Sequence, residues 1–206
     1  MKVSGLAAIV TGGGSGLGAA TVTEMCRQGM QVAALDVNEE GLEHISAETG
    51  ALGIKCDVSD ADSATSALAQ AREAHGVGRL LVNCAGIAPP QRIVAREGAS
   101  PLEDFKRVID INLVGTYNMM RLFAEALIPA ETLDEDDERG VIINTASVAA
   151  FAGICELRYS HHGYCTGFDG DTNAVGFARG GATQSGGAGT VSEASGPSCR
   201  VCLAGG

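Results

Sequence analysis

The sequence predicts an α/β domain on a doubly wound parallel sheet, followed by an irregular Gly/Ser-rich tail. Three observations carry this prediction. Short apolar runs alternate with helical segments through residue 146, the pattern of βαβ crossovers and a parallel sheet. A glycine-rich turn joins the first apolar run to the first helical pattern. Near Gly153 the composition changes: about a quarter of the following residues are glycine, with many Ser, Ala and Thr. No helical or alternating period persists there, which reads as a flexible, disordered tail.

Each element has its own justification. Leu6–Thr11 is a continuous apolar run ending in glycines, as in a strand buried on both faces. Ser15–Gln28 carries Leu17, Ala20, Val22 and Met25 at near-helical spacing. Val32–Leu35 is a second strand closing on Asp36, and Asn38–Glu48 an acidic amphipathic helix. Gly53–Cys56 reads as a third strand. Ser59–Ala74 is an Ala-rich helix with Ser59 and Asp60 as candidate caps. Leu80–Asn83 is the fourth strand; Leu102–Leu113 and Val114–Leu127 are helical; Gly140–Thr145 is the fifth strand. Right-handed crossovers between these strands give the doubly wound arrangement. The acidic segment 131–139 reads as an exposed insertion, not a metal site.

At 206 residues the chain suits one domain over 1–152 and a low-complexity tail over 153–206. A net charge of −11 argues against nucleic acid or an anionic membrane surface as partner. The apolar run near the N-terminus is too short to span a bilayer, and neither a secretory leader nor an Arg-rich transit segment is expected. Seven cysteines is an odd number. Cys26, Cys56 and Cys84 stand alone in apolar contexts, which suits buried thiols in a reducing, intracellular setting, cytoplasmic or mitochondrial.

Several groups of residues carry candidate chemistry. Thr11 to Gly18 (TGGGSGLG) sits between a buried strand and an amphipathic helix. A dinucleotide pyrophosphate needs backbone N–H donors at a helix N-terminus and no Cβ in its way. Gly12, Ser15, Gly16, Leu17 and Gly18 are therefore candidate cofactor contacts. Asp36, at the end of the second strand, stands where an acid would accept both adenosine ribose hydroxyls and repel a 2′-phosphate. That choice favours NAD over NADP; the lesser alternative is a surface Asp capping the next helix. Asp57 and Val58 follow strand three, where Asp57 either meets the adenine amino group or serves as a turn residue. Asn83, Cys84, Ala85 and Gly86 follow strand four, and their small size lets a cofactor lie across the sheet edge. Asn83 would equally tie neighbouring strands together. Asn112 lies inside a helix, where its amide either bends the helix and holds a water or is simply solvated. Ser147 lies just past strand five, at the end of the sheet where open α/β proteins keep their ligands. Taken alone, a helix cap or turn residue is the plainer reading of Ser147.

Together, TGGGSGLG, Asp36, Asn83-Cys84-Ala85-Gly86, Asn112 and Ser147 resemble, in order and spacing, the short-chain dehydrogenase/reductase family over residues 1–151. The stretches Pro101–Thr116 and Gly140–Phe151 are similar to its type II 3-hydroxyacyl-CoA dehydrogenases, also described as 17β-hydroxysteroid dehydrogenases. The resemblance implies a Rossmann-like fold and NAD-linked interconversion of a secondary alcohol and a ketone, with an acyl-CoA or other secondary alcohol as small-molecule substrate. It also implies catalytic roles: a serine holding the substrate oxygen (Ser147), an asparagine supporting a proton relay (Asn112), and a tyrosine taking the alcohol proton. Tyr159 is nearly at the tyrosine's position. The family's lysine, four residues on, is replaced by Gly163, and the last lysine of the chain is Lys106. A lysine that brings a tyrosine from a pKa of about 10 toward 7–8 supplies roughly 3–4 kcal/mol, hence about a hundred- to thousand-fold more phenolate. Impaired activity is therefore expected, as is loss of the helix that builds the family's homo-oligomer. A truncated or altered reading frame after Phe151 would explain both. His161, His162, Cys165, Cys199 and Cys202 suggest a zinc set. The long Gly/Ser-rich spacer between them favours unpaired thiols and no metal.

Overall fold

The computed structural model describes residues 3–89, 93–95, 98–133, 135 and 137–147. All of these fall in one unit, Met1–Ile154. Tyr159, Gly163, the tail histidines and Cys165, Cys199 and Cys202 lie outside the described residues.

Five parallel strands form one sheet: β1 (Ala7–Thr11), β2 (Gln31–Asp36), β3 (Leu52–Lys55), β4 (Leu80–Asn83) and β5 (Val141–Asn144), in the order β3-β2-β1-β4-β5. Helices α1 (Gly16–Arg27), α2 (Glu39–Thr49) and α3 (Ala61–His75) connect the early strands. α4 (Leu102–Ile109), a π-helical turn (Asp110–Gly115) and α5 (Thr116–Leu127) lie between β4 and β5. This is the expected Rossmann-like fold, with β4 at its expected limits and the other strands and first three helices shifted by one or two residues at an end.

The sheet is doubly wound because its strands are apolar on both faces. Ile9, Ala33, Leu35, Ile54 and Leu81 pack with Ala64, Ala67 and Ala71 of α3 and with Met119 and Phe123 of α5. Ala8, Val10, Val32, Ala34, Leu80 and Val82 face the other way, onto Val22 of α1 and Leu42 and Ile45 of α2. Fully buried side chains such as Leu35 and Leu81 contribute about 1.5–3 kcal/mol each. Alanines on the buried face of α3 let that helix lie close to the sheet. β5 pairs only with β4 among the described residues, and its Val141 and Ile143 are exposed, which leaves an apolar edge on that side among the described residues.

The helix ends follow local chemistry. Asn38 caps α2, its side chain accepting from Gly41 N at 3.3 Å, and Gly50 ends that helix in the left-handed region. Asp60, not Ser59, caps α3 by accepting from Ser63 N at 2.6 Å. Ser59 instead folds back on Asp57.

Two features differ from the sequence reading. The segment 102–127 is not two helices meeting at 113/114. It is a continuous helical path whose register widens through the π turn, where Asn112 and Gly115 make their contacts. A two-residue antiparallel ladder, Val94–Ala95 with Gly98–Ala99, also forms; its strands are too short to show alternation. The described residues of the acidic loop other than the half-buried Leu133 are exposed, and its ends are tied by Arg79, whose Nη1 donates to Glu131 O and Arg139 O. Among the described residues no helix is long and apolar enough to cross a membrane.

Cys26, Cys56 and Cys84 are unpaired, but only Cys56 is fully buried; the other two are half-buried. Burial pushes the Cys56 thiol up to about 11, against an opposing hydrogen bond with Ser63. The folded state therefore keeps a proton that the unfolded chain releases near pH 9. Stability from this group is full below that pH and declines as pH rises toward 11. Iodoacetamide at pH 8 is expected to label Cys26 and Cys84 well before Cys56. Peptide mapping showing Cys56 labelled as fast as the others would refute this.

Candidate functional site

The order β3-β2-β1-β4 reverses direction at β1, so a crevice opens at the carboxyl ends of β1 and β4, the place where such sheets take ligands. The register aligns Thr11 with Leu35 on one side and with Asn83 on the other, and Asn83 with Asn144. These residues form a row across the rim.

The glycine turn leaves β1 at Gly12, whose φ of +66° only glycine takes without strain. A Cβ there would also meet Ala85 N at 2.8 Å. Gly13 N donates to Leu35 O at 3.0 Å, tying the turn to β2. Gly14 N donates to Asp36 Oδ2 at 3.0 Å, and Asn38 N donates to Asp36 Oδ1 at 2.9 Å. The glycine turn and Asp36 are thus brought together. Asp36 does not cap α2, since Asn38 does. Ser15 precedes α1 without a side-chain cap bond, and no acidic residue occupies the helix's first turn. The α1 N-terminus therefore has no internal anion in that turn. Gly18 is buried against the turn: a Cβ there would lie 2.0 Å from Gly12 O. Leu17 is 72% exposed, an apolar side chain left in solvent at the mouth.

On the other side of the crevice, Ala85 N donates to Thr11 Oγ1 at 3.1 Å, and Cys84 N to Thr11 O at 3.2 Å. The Asn83 side chain is buried and donates through Nδ2 to Asn144 Oδ1 at 2.9 Å. Thr145 donates from its N and its Oγ1 to Asn83 O. Asn83 accordingly ties β4 to β5. Asn112 is exposed, but its amide is also engaged. Its Oδ1 accepts from Ile87 N at 2.8 Å and its Nδ2 donates to Ile87 O at 2.9 Å. This two-way clamp holds the chain after β4 against the π turn. Gly86 makes room for it, because a Cβ there would come within 3.3 Å of Asn112 Oδ1.

Asp57 is exposed, and its Oδ1 accepts from both Ser59 N and Ser59 Oγ. Val58 is buried. Ser147 lies three residues past β5 and is exposed. Tyr159 lies outside the described residues.

Sequence reasoning did not single out Thr11, Asn118, Arg121 or Asn144. Thr11 and Asn144 stand at strand ends beside residues that it did single out, which was the available signal. Asn118 is a buried amide on α5 whose only sequence trace is a polar residue next to Met119 and Met120.

Comparison with known proteins gives a consistent picture. A family model described as short chain dehydrogenase matches residues 6–160. The chain is 43% identical over 168 residues to 3-hydroxyacyl-CoA dehydrogenase type-2 of Bos taurus, covering 77% of this chain and 62% of the relative. It is 34% identical to D-threitol dehydrogenase of Mycolicibacterium smegmatis, covering 80% of this chain and 59% of that one. The chain therefore spans about three fifths of the length of these relatives. Among solved structures, ribose-5-phosphate isomerase from Brucella melitensis 16M superimposes with a TM-score of 0.61 at 33% identity, covering 73% of this chain and 55% of that one.

Proposed function

As the chain belongs to the short chain dehydrogenase family, we propose that it binds NAD in the crevice between β1 and β4 and derives from an oxidoreductase interconverting a secondary alcohol and a ketone. The observation that carries this reading is the Asp36 carboxylate, bonded to Gly14 N at the lip of the glycine turn. The residues fit the cofactor. A turn with no Cβ at 12, 13, 14, 16 or 18, and a helix N-terminus without an acid in its first turn, leave room and partial positive charge for a diphosphate. A carboxylate has about four lone-pair sites. Gly14 and Asn38 use one on each oxygen, and the remaining two suit the two hydroxyls of an unphosphorylated ribose.

When bound, the dinucleotide supplies a hydride acceptor for the alcohol carbon. Around it, Gly12, Ser15, Gly16, Leu17 and Gly18 hold the diphosphate, while Asp57 and Val58 line the adenine end. Asn83, Cys84, Ala85 and Gly86 line the wall toward the reacting ring. Asn112 fixes that wall through Ile87. Ser147 holds the substrate oxygen and Tyr159 takes its proton. With Gly163 at the lysine position, the phenol lacks the cation that lowers its pKa, so turnover is slower than in the relatives by about a hundred- to thousand-fold or more. The substrate class suggested by the named relatives is a 3-hydroxyacyl-CoA. The unpaired described cysteines fit a reducing compartment.

Calorimetry with NAD and a spectrophotometric assay with NADH and a short 3-oxoacyl-CoA test the proposal together. Binding of NAD with slow turnover is expected. Binding without any turnover would leave a nucleotide-binding protein without enzyme activity. Folded protein that ignores NAD would overturn the reading.

A further inference from the structure

Building on the dinucleotide reading above, we infer that Asn118, oriented by Arg121, is a positioning residue for the adenine end of the crevice. It seats the Asp57–Val58 turn at the height where Asp57 can read the exocyclic amino group of the base.

The turn between β3 and α3 carries this job without regular structure of its own. Its outer part is held locally: Ser63 Oγ accepts from Asp57 N at 3.0 Å, and Ser59 grips Asp57 Oδ1. Its inner part is held from α5. The Asn118 side chain is buried, and its Nδ2 donates to Val58 O at 2.9 Å and more weakly to Asp60 O at 3.4 Å. Its Oδ1 accepts from Arg121 Nε at 3.0 Å and Nη2 at 2.7 Å. An amide can be turned over with little change of shape, so its partners decide its orientation. Val58 and Asp60 offer carbonyl oxygens, which only accept; Arg121 offers N–H groups, which only donate. One orientation alone satisfies all four contacts, and Arg121 and the two carbonyls select it together.

A second contact supports the same seat. Gly115, the last residue of the π turn, packs so closely on Val58 that a Cβ there would lie 2.5 Å from Val58 Cγ2. Glycine at 115 and the amide at 118 therefore set the distance between this helical segment and the turn. The amide is buried and bonds the backbone at Val58 and Asp60, so its influence on the base passes through the backbone of the turn.

The test compares NAD with its deamino analogue, in which hypoxanthine replaces adenine and the amino group becomes a carbonyl. Calorimetry on the whole protein is expected to show tighter binding of NAD. Asn118→Asp keeps an acceptor for Arg121 but turns an oxygen toward two carbonyls. It is expected to weaken NAD about tenfold and to erase most of the preference over the deamino form. Asp57→Ala should erase the same preference. Arg121→Met, which keeps the amide and its two carbonyl partners but leaves Oδ1 without the guanidinium donors that brace it, should move the ratio in the same direction and carries the test if Asn118→Asp does not fold. A folded Asn118→Asp protein with an unchanged preference, or one that loses both dinucleotides equally, would overturn the inference. Wild-type protein that binds both equally would overturn it too, while leaving the dinucleotide reading intact. Wild-type protein that binds neither would overturn that reading itself.

Discussion

Gly18→Ala is expected to abolish dinucleotide binding and to lower stability by about 3 kcal/mol or more, although helix propensity favours the change. In a helix interior, alanine is better than glycine by about 1 kcal/mol. Gly18 lies in the first turn of α1, and its φ is not positive, so the backbone itself would accept a side chain. The obstacle is steric. The new Cβ would lie 2.0 Å from Gly12 O, 2.6 Å from Gly12 C and 3.1 Å from Gly13 N. These are main-chain atoms of the glycine turn, held by β1 behind them and by the bond from Gly13 N to Leu35 O. No rotamer can move them aside. α1 must slide away from β1 or the turn must open, and either change removes the donors that would face a diphosphate. The steric term exceeds the propensity term by severalfold, so the sign is set. Gly50→Ala is the matched control. It has a φ of +76° with nothing within 4 Å of a Cβ, so about 1–2 kcal/mol of backbone strain is expected and no effect on binding. Thermal melts with calorimetry check both. A Gly18→Ala protein that binds NAD like wild type would mean that this turn is not the diphosphate cradle.

The contrast between these glycines shows what the sequence discloses. The cluster at 12–18 is conspicuous because glycine between a buried strand and a helix has few other uses. That Gly18 faces a carbonyl, whereas Gly16 faces open space, is a matter of packing angle and leaves no mark on composition. Strands β1 and β4 were legible because burial on both faces makes them continuous apolar runs. β4 kept its limits, while the start of β1 slipped by a residue because Leu6 is as apolar as Ala7, and hydrogen bonding, not hydropathy, ends a strand. Asp36 was legible from its place after a strand. Its partnership with Gly14 was not, because the bond spans 22 residues. The same holds for Asn112 with Ile87 and for Asn118 with Val58, at separations of 25 and 60. Polar clamps of this kind repeat with no period. The π turn, where Asn112 and Gly115 make their contacts, was hidden in the same way.

Asp36→Ala is expected to weaken NAD about a hundredfold while changing NADP far less, so that the preference between them narrows or reverses. A charge-assisted hydrogen bond contributes about 1.5–3 kcal/mol. Two ribose hydroxyls on a half-exposed carboxylate therefore account for about 3 kcal/mol after discounting for solvent, which is about a hundredfold. The carboxylate also holds Gly14 N and Asn38 N, so its loss loosens the turn as well. That part of the damage falls on both dinucleotides alike. The ratio of their affinities removes it and leaves the charge effect. A 2′-phosphate beside a carboxylate meets repulsion of about 4 kcal/mol per pair of unit charges at 4 Å and an effective dielectric of 20. Alanine relieves this, and NADP recovers through the repulsion what it loses through the looser turn. Because that repulsion is screened, raising salt should tighten NADP binding to the wild type and do little for the variant. Calorimetry of both dinucleotides at two ionic strengths reads all of these effects. A folded Asp36→Ala protein with an unaltered NAD-to-NADP ratio would show that this carboxylate serves only the backbone of its own loop and never meets a ribose.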